Sequence, residues 1–110
     1  MKHAVREERG SIVVAFTGEV DLEHSPQARE ILLEQVGRRR RVLVDLSGVD
    51  YIDSSGIASL VEAFQKAKKT GTSFALAAPN PAALRVLELA RLDRVFRIYP
   101  SLEDALNAGA

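Results

Sequence analysis

Residues 41–69, RVLVDLSGVDYIDSSGIASLVEAFQKAKK, constrain the fold more than any other stretch of the chain. Val42, Leu43 and Val44 form an apolar, β-branched run that halts at Asp45. A turn-rich segment follows, and Ile57, Leu60, Val61 and Phe64 then recur at helical spacing. The pattern predicts a buried strand, a loop and a helix. Asp53, Ser54, Ser55 and Gly56 stand where the helix opens, and there the first backbone N–H groups have no partner inside the helix. Such a joint suits an anion, or a hydroxyl about to become one.

The flanking sequence supplies a scaffold for this unit. Residues 5–8 predict a short strand, Arg9-Gly10 a turn, and residues 11–17, with Ile12, Val13, Val14 and Phe16, a second strand. Ser25-Pro26 reads as an N-cap followed by proline at the first helical position. Ala28, Ile31, Leu32 and Gln35 line one side of the next helix, Leu33 and Val36 widen it, and Gly37 can close it. The basic run at residues 38–41 reads as a solvated loop beyond a helix C-terminus; a contact for phosphate or lipid headgroups is the sharper alternative. After the central helix, Lys66, Lys68 and Lys69 face water as dipole partners and Gly71 forms a C-cap. Residues 73–77 predict a strand, and Asn80-Pro81 starts a helix through Leu84, Val86, Leu87 and Ala90 up to Arg91. Residues 94–98 predict a last strand, and Ser101 to Asp104 resemble a capping box for a terminal helix ending at 107–109. The order β-β-α-β-α-β-α-β-α argues for a single α/β domain over residues 1–110, a mixed sheet with helices crossing between strands.

Composition narrows the function classes. Fifteen Lys plus Arg balance fifteen Asp plus Glu, so no overall field favours nucleic acid or an anionic membrane. The absence of cysteine removes disulfides, thiolate chemistry and cysteine-ligated metals. No window approaches a membrane span, and the first residues lack a signal-peptide pattern, so a cytoplasmic protein without membrane insertion is expected.

An enzyme would need an activated group. Ser54 and Ser55 would require a base, and the two histidines, His3 and His24, are not positioned by anything in the sequence. Asp45, Asp50 and Asp53 could form a carboxylate cluster for a divalent ion, but strand end, turn and helix cap are the commoner roles. Phosphate cradles of the GxGxxG or Lys-Ser/Thr type are absent from the sequence. The expectation is therefore no catalysis, no cofactor and no metal. Residues 53–56 can instead be acted upon: a serine hydroxyl at a helix start can accept a phosphoryl group from another protein's active site. The plain alternative is that both serines only cap the helix.

Residues 42–57, VLVDLSGVDYIDSSGI, resemble the signature of STAS domains, in particular the bacterial anti-sigma factor antagonists. Residues 18–21, GEVD, resemble that family's Gly-Glu-hydrophobic-Asp segment. The resemblance implies an unphosphorylated protein that binds an anti-sigma factor serine kinase, is phosphorylated by it and released, and is reset by a serine phosphatase. It implies Ser54 as phosphoacceptor, directly after the motif aspartate. It also implies a partner-facing surface of Asp21, Asp53, Ser55, Gly56, Ile57 and Ala58. The chain departs from the common Gly-Leu-Gly with Gly56-Ile57-Ala58, keeping a small residue at the last position. A different reading of the same resemblance is a constitutive STAS subunit docked on the ATPase of a lipid-trafficking ABC transporter. Self-association is compatible with either.

Overall fold

In the computed structural model, which describes residues 1–108, β1 (Lys2–Glu8) and β2 (Ser11–Val20) form an antiparallel hairpin. Its two-residue turn has Arg9 at φ 50° and Gly10 at φ 82°, the paired positive angles that match the twist of the strands they join. The chain continues through α1 (Ser25–Val36), β3 (Val42–Ile52), α2 (Ser54–Thr70), β4 (Phe74–Ala77) and α3 (Pro81–Leu89). A 3-10 turn (Leu92–Arg94), β5 (Arg97–Tyr99) and α4 (Leu102–Ala108) complete it. The sheet order is β1-β2-β3-β4-β5; only the first pair is antiparallel, so the sheet is mixed and the predicted element order holds.

Both faces of the central strands are covered, which is why they read as continuous apolar runs. Ile12, Val14, Phe16, Val42, Val44, Leu46, Phe74 and Leu76 turn toward α1, α2 and α3. Val13, Leu43, Ala75 and Ala77 turn the other way and meet Ala105 and Leu106 of α4. Helix α2 buries Ile57, Leu60, Ala63 and Ala67 along one stripe and ends at Gly71, whose φ of 72° supplies the left-handed closure. Phe64, Phe74 and Phe96 pack with ring centroids 5.3 to 6.4 Å apart, partly edge to face.

Several boundaries differ from the sequence expectation, each for a physical reason. Strand β3 does not halt at Asp45 but runs to Ile52, because β2 also extends to Val20 and keeps pairing with it. Two register shifts, between Ala15 and Thr17 and between Gly18 and Glu19, absorb the turn-forming residues. A Cβ on Gly48 would stand 3.0 Å from the Phe16 carbonyl oxygen, so glycine there serves close strand approach, not a loop. His24, not Ser25, occupies the cap of α1, without a side-chain cap bond. Gly37 keeps a right-handed φ of −62°, and Arg39 takes the left-handed one. The last strand starts at Arg97 because Leu92–Arg94 winds into the 3-10 turn. Ser101 Oγ does accept the Asp104 N–H, as a helix cap should; the predicted end at Gly109 lies outside the described residues.

The basic segments are tied into the fold. Arg38 and Arg40 both pair with Glu7 of β1, and Arg41 Nη1 donates to the Ala105 carbonyl oxygen at 2.7 Å. Most of the run expected to be a solvated loop is thus bonded to other elements. Lys66 does not face water either: its Nζ donates to the Leu33 carbonyl oxygen at 3.0 Å, bridging α2 to the last turns of α1. Among the described residues no helix is long and apolar enough to cross a membrane.

Candidate functional site

Strands β2 and β3 end side by side, with Val20 opposite Ile52, and the chain leaves β3 through Asp53 into α2. Asp53 has extended backbone (φ −108°, ψ −172°), which aims its carboxylate at the first turn of the helix. Oδ1 accepts the Ser55 and Gly56 N–H groups at 3.0 and 3.1 Å and the Ser55 hydroxyl at 2.5 Å. Oδ2 accepts the Leu22 N–H at 3.1 Å. One carboxylate therefore satisfies two helix-start donors and fastens the loop after β2 to the start of α2. The Ser55 hydroxyl, then the Gly56 N–H, hold the Asp53 carboxyl below its ordinary value, so it is ionised at neutral pH.

The two serines have different surroundings. Ser54 is exposed, and no side-chain hydrogen bond involves it among the described residues; Ser55 is half-buried and its hydroxyl is committed to Asp53. Behind them Gly56 is buried: a Cβ there would lie 2.4 Å from the Val20 carbonyl oxygen and 2.7 Å from Ile52 Cγ1. Only glycine lets α2 start this close to the ends of both strands.

Of the six residues expected to face a partner, Ala58 is exposed, and Asp21, Asp53 and Ser55 are half-buried. Gly56 and Ile57 turn inward, Ile57 being 8% exposed within the core. Both positions are packed against the strand ends and the core. Asp21 is brought near through its neighbour, since Leu22 donates to Asp53. Its own Oδ1 accepts the His24 N–H at 3.1 Å and lies 2.7 Å from His24 Nδ1. Partial burial works to raise the Asp21 carboxyl, but the His24 contacts prevail and lower it.

Sequence reasoning missed three residues at this end. Leu22 is 77% exposed and Tyr51 54% exposed, apolar surface flanking Asp53. His24 closes the turn from Asp21; the Asp-x-x-His spacing is the signal that could have found it. Nearby, Arg29 of α1 pairs with Glu62 of α2, strapping the helices together along the edge of a 320 Å³ groove beside Ser55 and Ala58. Asp45, Asp50 and Asp53 do not converge as a group. Asp21, Glu23 and His24 do, within 4.8 Å, but Asp21 and His24 already satisfy each other.

Chemically, the arrangement offers a free hydroxyl at the positive end of a helix, beside a carboxylate held ionised. The histidine closest in sequence to the motif is bonded to Asp21, and no hydrogen bond links it to Ser54.

Comparison with known proteins bears on the family of this chain. A family model described as the STAS domain matches residues 3–105. The chain is 31% identical over 104 residues to an anti-sigma-F factor antagonist of Mycobacterium tuberculosis, covering 94% of this chain and 84% of that one. It is 28% identical to the anti-sigma-B factor antagonist of Bacillus subtilis, covering 94% of each. A crystal structure of an anti-sigma factor antagonist from Mycobacterium paratuberculosis superposes with a TM-score of 0.90 at 32% identity, over 97% of this chain and 92% of that one. With its mixed five-stranded sheet, the helix start after β3 and the match over nearly its whole length, the chain belongs to the STAS domain family.

Proposed function

We propose that this protein is an anti-sigma factor antagonist that acts by binding and is switched off by phosphorylation of Ser54. The observation that carries the reading is the inequality of the two serines: Ser54 is exposed with its hydroxyl unengaged, while Ser55 is locked onto Asp53. The antagonist names of its relatives support the same reading. In its unphosphorylated form the protein docks on an anti-sigma factor serine kinase through the surface around Ser54, Ala58, Leu22 and Tyr51. The kinase supplies the Mg²⁺, the positioning and any base, and the antagonist presents the acceptor.

Phosphorylation adds roughly −1.5 to −2 charges at neutral pH. The new charge stands beside Asp53 and at the positive end of α2, which offsets part of the repulsion inside the antagonist. A kinase surface fitted to a neutral hydroxyl meets a solvated dianion instead, and each 1.4 kcal/mol so lost is about tenfold in affinity. A serine phosphatase then resets the protein.

The test is intact-protein and peptide mass spectrometry of the chain isolated from its native cells, with and without phosphatase treatment. A phosphate on Ser54 supports the switch. A chain that stays unmodified across growth and stress conditions, and co-purifies with a transporter ATPase, would replace it with the constitutive-subunit reading.

A further inference from the structure

A second concave site lies at the opposite ends of the strands from Ser54, on the face covered by α4. Its volume is 380 Å³, within the range of small-molecule pockets. Ser73 and Ala75, both small, leave its floor open, with Ala108 of α4 at one side. Arg41 lines it where β3 begins; Arg97 and Tyr99 line it from β5, with Arg97 opposite Ala75 in register.

The charge balance of this pocket is uneven. Among the described residues two arginines line it and no acidic side chain does. Among the described residues neither Arg41 nor Arg97 has an acidic partner, so neither charge is neutralised within the fold. Arg41 spends one N–H on the Ala105 carbonyl oxygen, a bond that fixes the guanidinium and leaves most of its five donors free. The Ser73 hydroxyl, just before β4, and the Tyr99 hydroxyl of β5 add two more donors to the lining. Two guanidinium forks and two hydroxyls lining one pocket suit the several oxygens of a phosphate group, and the volume leaves room for a small organic body.

We propose that this pocket binds a small phosphate-bearing anion, held between Arg41 and Arg97 beneath α4 and independent of the Ser54 site. Such a ligand bridges β3 and β5 under the terminal helix, so its binding also raises the unfolding temperature.

The experiment is an amide NMR titration of the full chain at fixed ionic strength, with inorganic phosphate in one arm and glycerol 3-phosphate in the other. Saturable shifts at Ser73, Ala75, Arg97 and Tyr99 are expected, unchanged in Ser54→Ala. In Arg97→Gln, an exposed position whose replacement leaves the fold intact, affinity falls by about tenfold or more. Tighter binding of the ester identifies an organic phosphate as the ligand, and equal binding identifies free phosphate. Shifts that never saturate, or that spread equally to Lys68 and Lys69 and survive Arg97→Gln, would overturn the proposal.

Discussion

The hydroxyl of Ser55 donates to Asp53 Oδ1 at 2.5 Å, the same oxygen that receives the backbone N–H groups of Ser55 and Gly56. A hydroxyl held in this way is part of the helix cap, whereas its neighbour at position 54 is free. Ser55→Ala is therefore expected to cost about 1 kcal/mol of stability, the usual worth of a partly solvated hydrogen bond. It should leave Ser54 open to modification. Urea unfolding measures the first effect, and kinase labelling followed by peptide mapping measures the second; label found mainly on position 55 in the wild type would reverse the assignment.

Ser54→Ala and Ser54→Asp separate the cap from the switch. Under the proposed switch, the alanine variant is expected to fold as the wild type does and to remain bound to an anti-sigma factor kinase without release. The aspartate variant is expected to bind at least about tenfold more weakly, although a carboxylate carries less charge than a phosphate. Surface plasmon resonance against the kinase reads both, and equal affinity of the two variants would rule out an electrostatic gate.

The Asp53 carboxyl is lowered by the Ser55 hydroxyl and the Gly56 N–H. A folded-state value below the ordinary 3.8 contributes stability that is present above 3.8 and is lost as the pH falls through the lowered value. Asp21 is lowered as well and contributes with the same sign. The difference between wild type and Asp53→Asn therefore isolates Asp53. The variant is expected to be less stable at neutral pH and to show a shallower loss between about pH 5 and about pH 2. Urea midpoints across that range check the slope; parallel curves would mean that the carboxylate is not coupled to folding.

Gly56→Ala tests whether the approach of α2 to the strands is as close as it looks. A methyl group there meets the Val20 carbonyl oxygen and Ile52, and backbone cannot swing aside as a side chain can. Overpacking of this kind costs about 1 to 3 kcal/mol, and more where backbone must shift. A thermal unfolding curve that does not move would show that the helix start yields without cost.

Ile57→Asp and Ala58→Glu distinguish core from surface one residue apart. Ile57 is buried among the core residues, so a charge there is expected to unfold the protein or lower its melting temperature sharply. Ala58 is exposed on the first turns of α2 and should accept glutamate with little change in stability, while kinase binding weakens. A stable, fully binding Ala58→Glu would move the docking face away from this helix.

Much of the site was legible because it is local. Asp53 followed by two serines and a glycine, between an apolar run and a helical periodicity, announces a capped helix start, and all hydrogen bonds of the Asp53 carboxylate but one lie within three residues. The bond that the sequence hides is the one to Leu22, thirty-one positions away. The same limit hid the second half of β3. Ser47, Gly48 and Asp50 have turn chemistry, and only pairing with the bulged end of β2 makes them a strand. The basic run at residues 38–41 read as solvated because Glu7 and α4, which bind three of its four members, are distant in sequence. Periodicity likewise marked Ile57 as apolar but not as inward-facing, since burial depends on which strand the helix meets.

The strands stand in the sheet in the order in which they occur in the chain. During synthesis each new strand can therefore add to an edge that already exists, and none has to be threaded between two formed neighbours. Every element that builds the Ser54 surface, β2, α1, β3 and α2, precedes Gly71. The Ser54 end of the molecule can thus be assembled while the residues after Gly71 are still being made, leaving β4, β5 and the small helix over the second face to close a structure whose proposed docking surface is already in place.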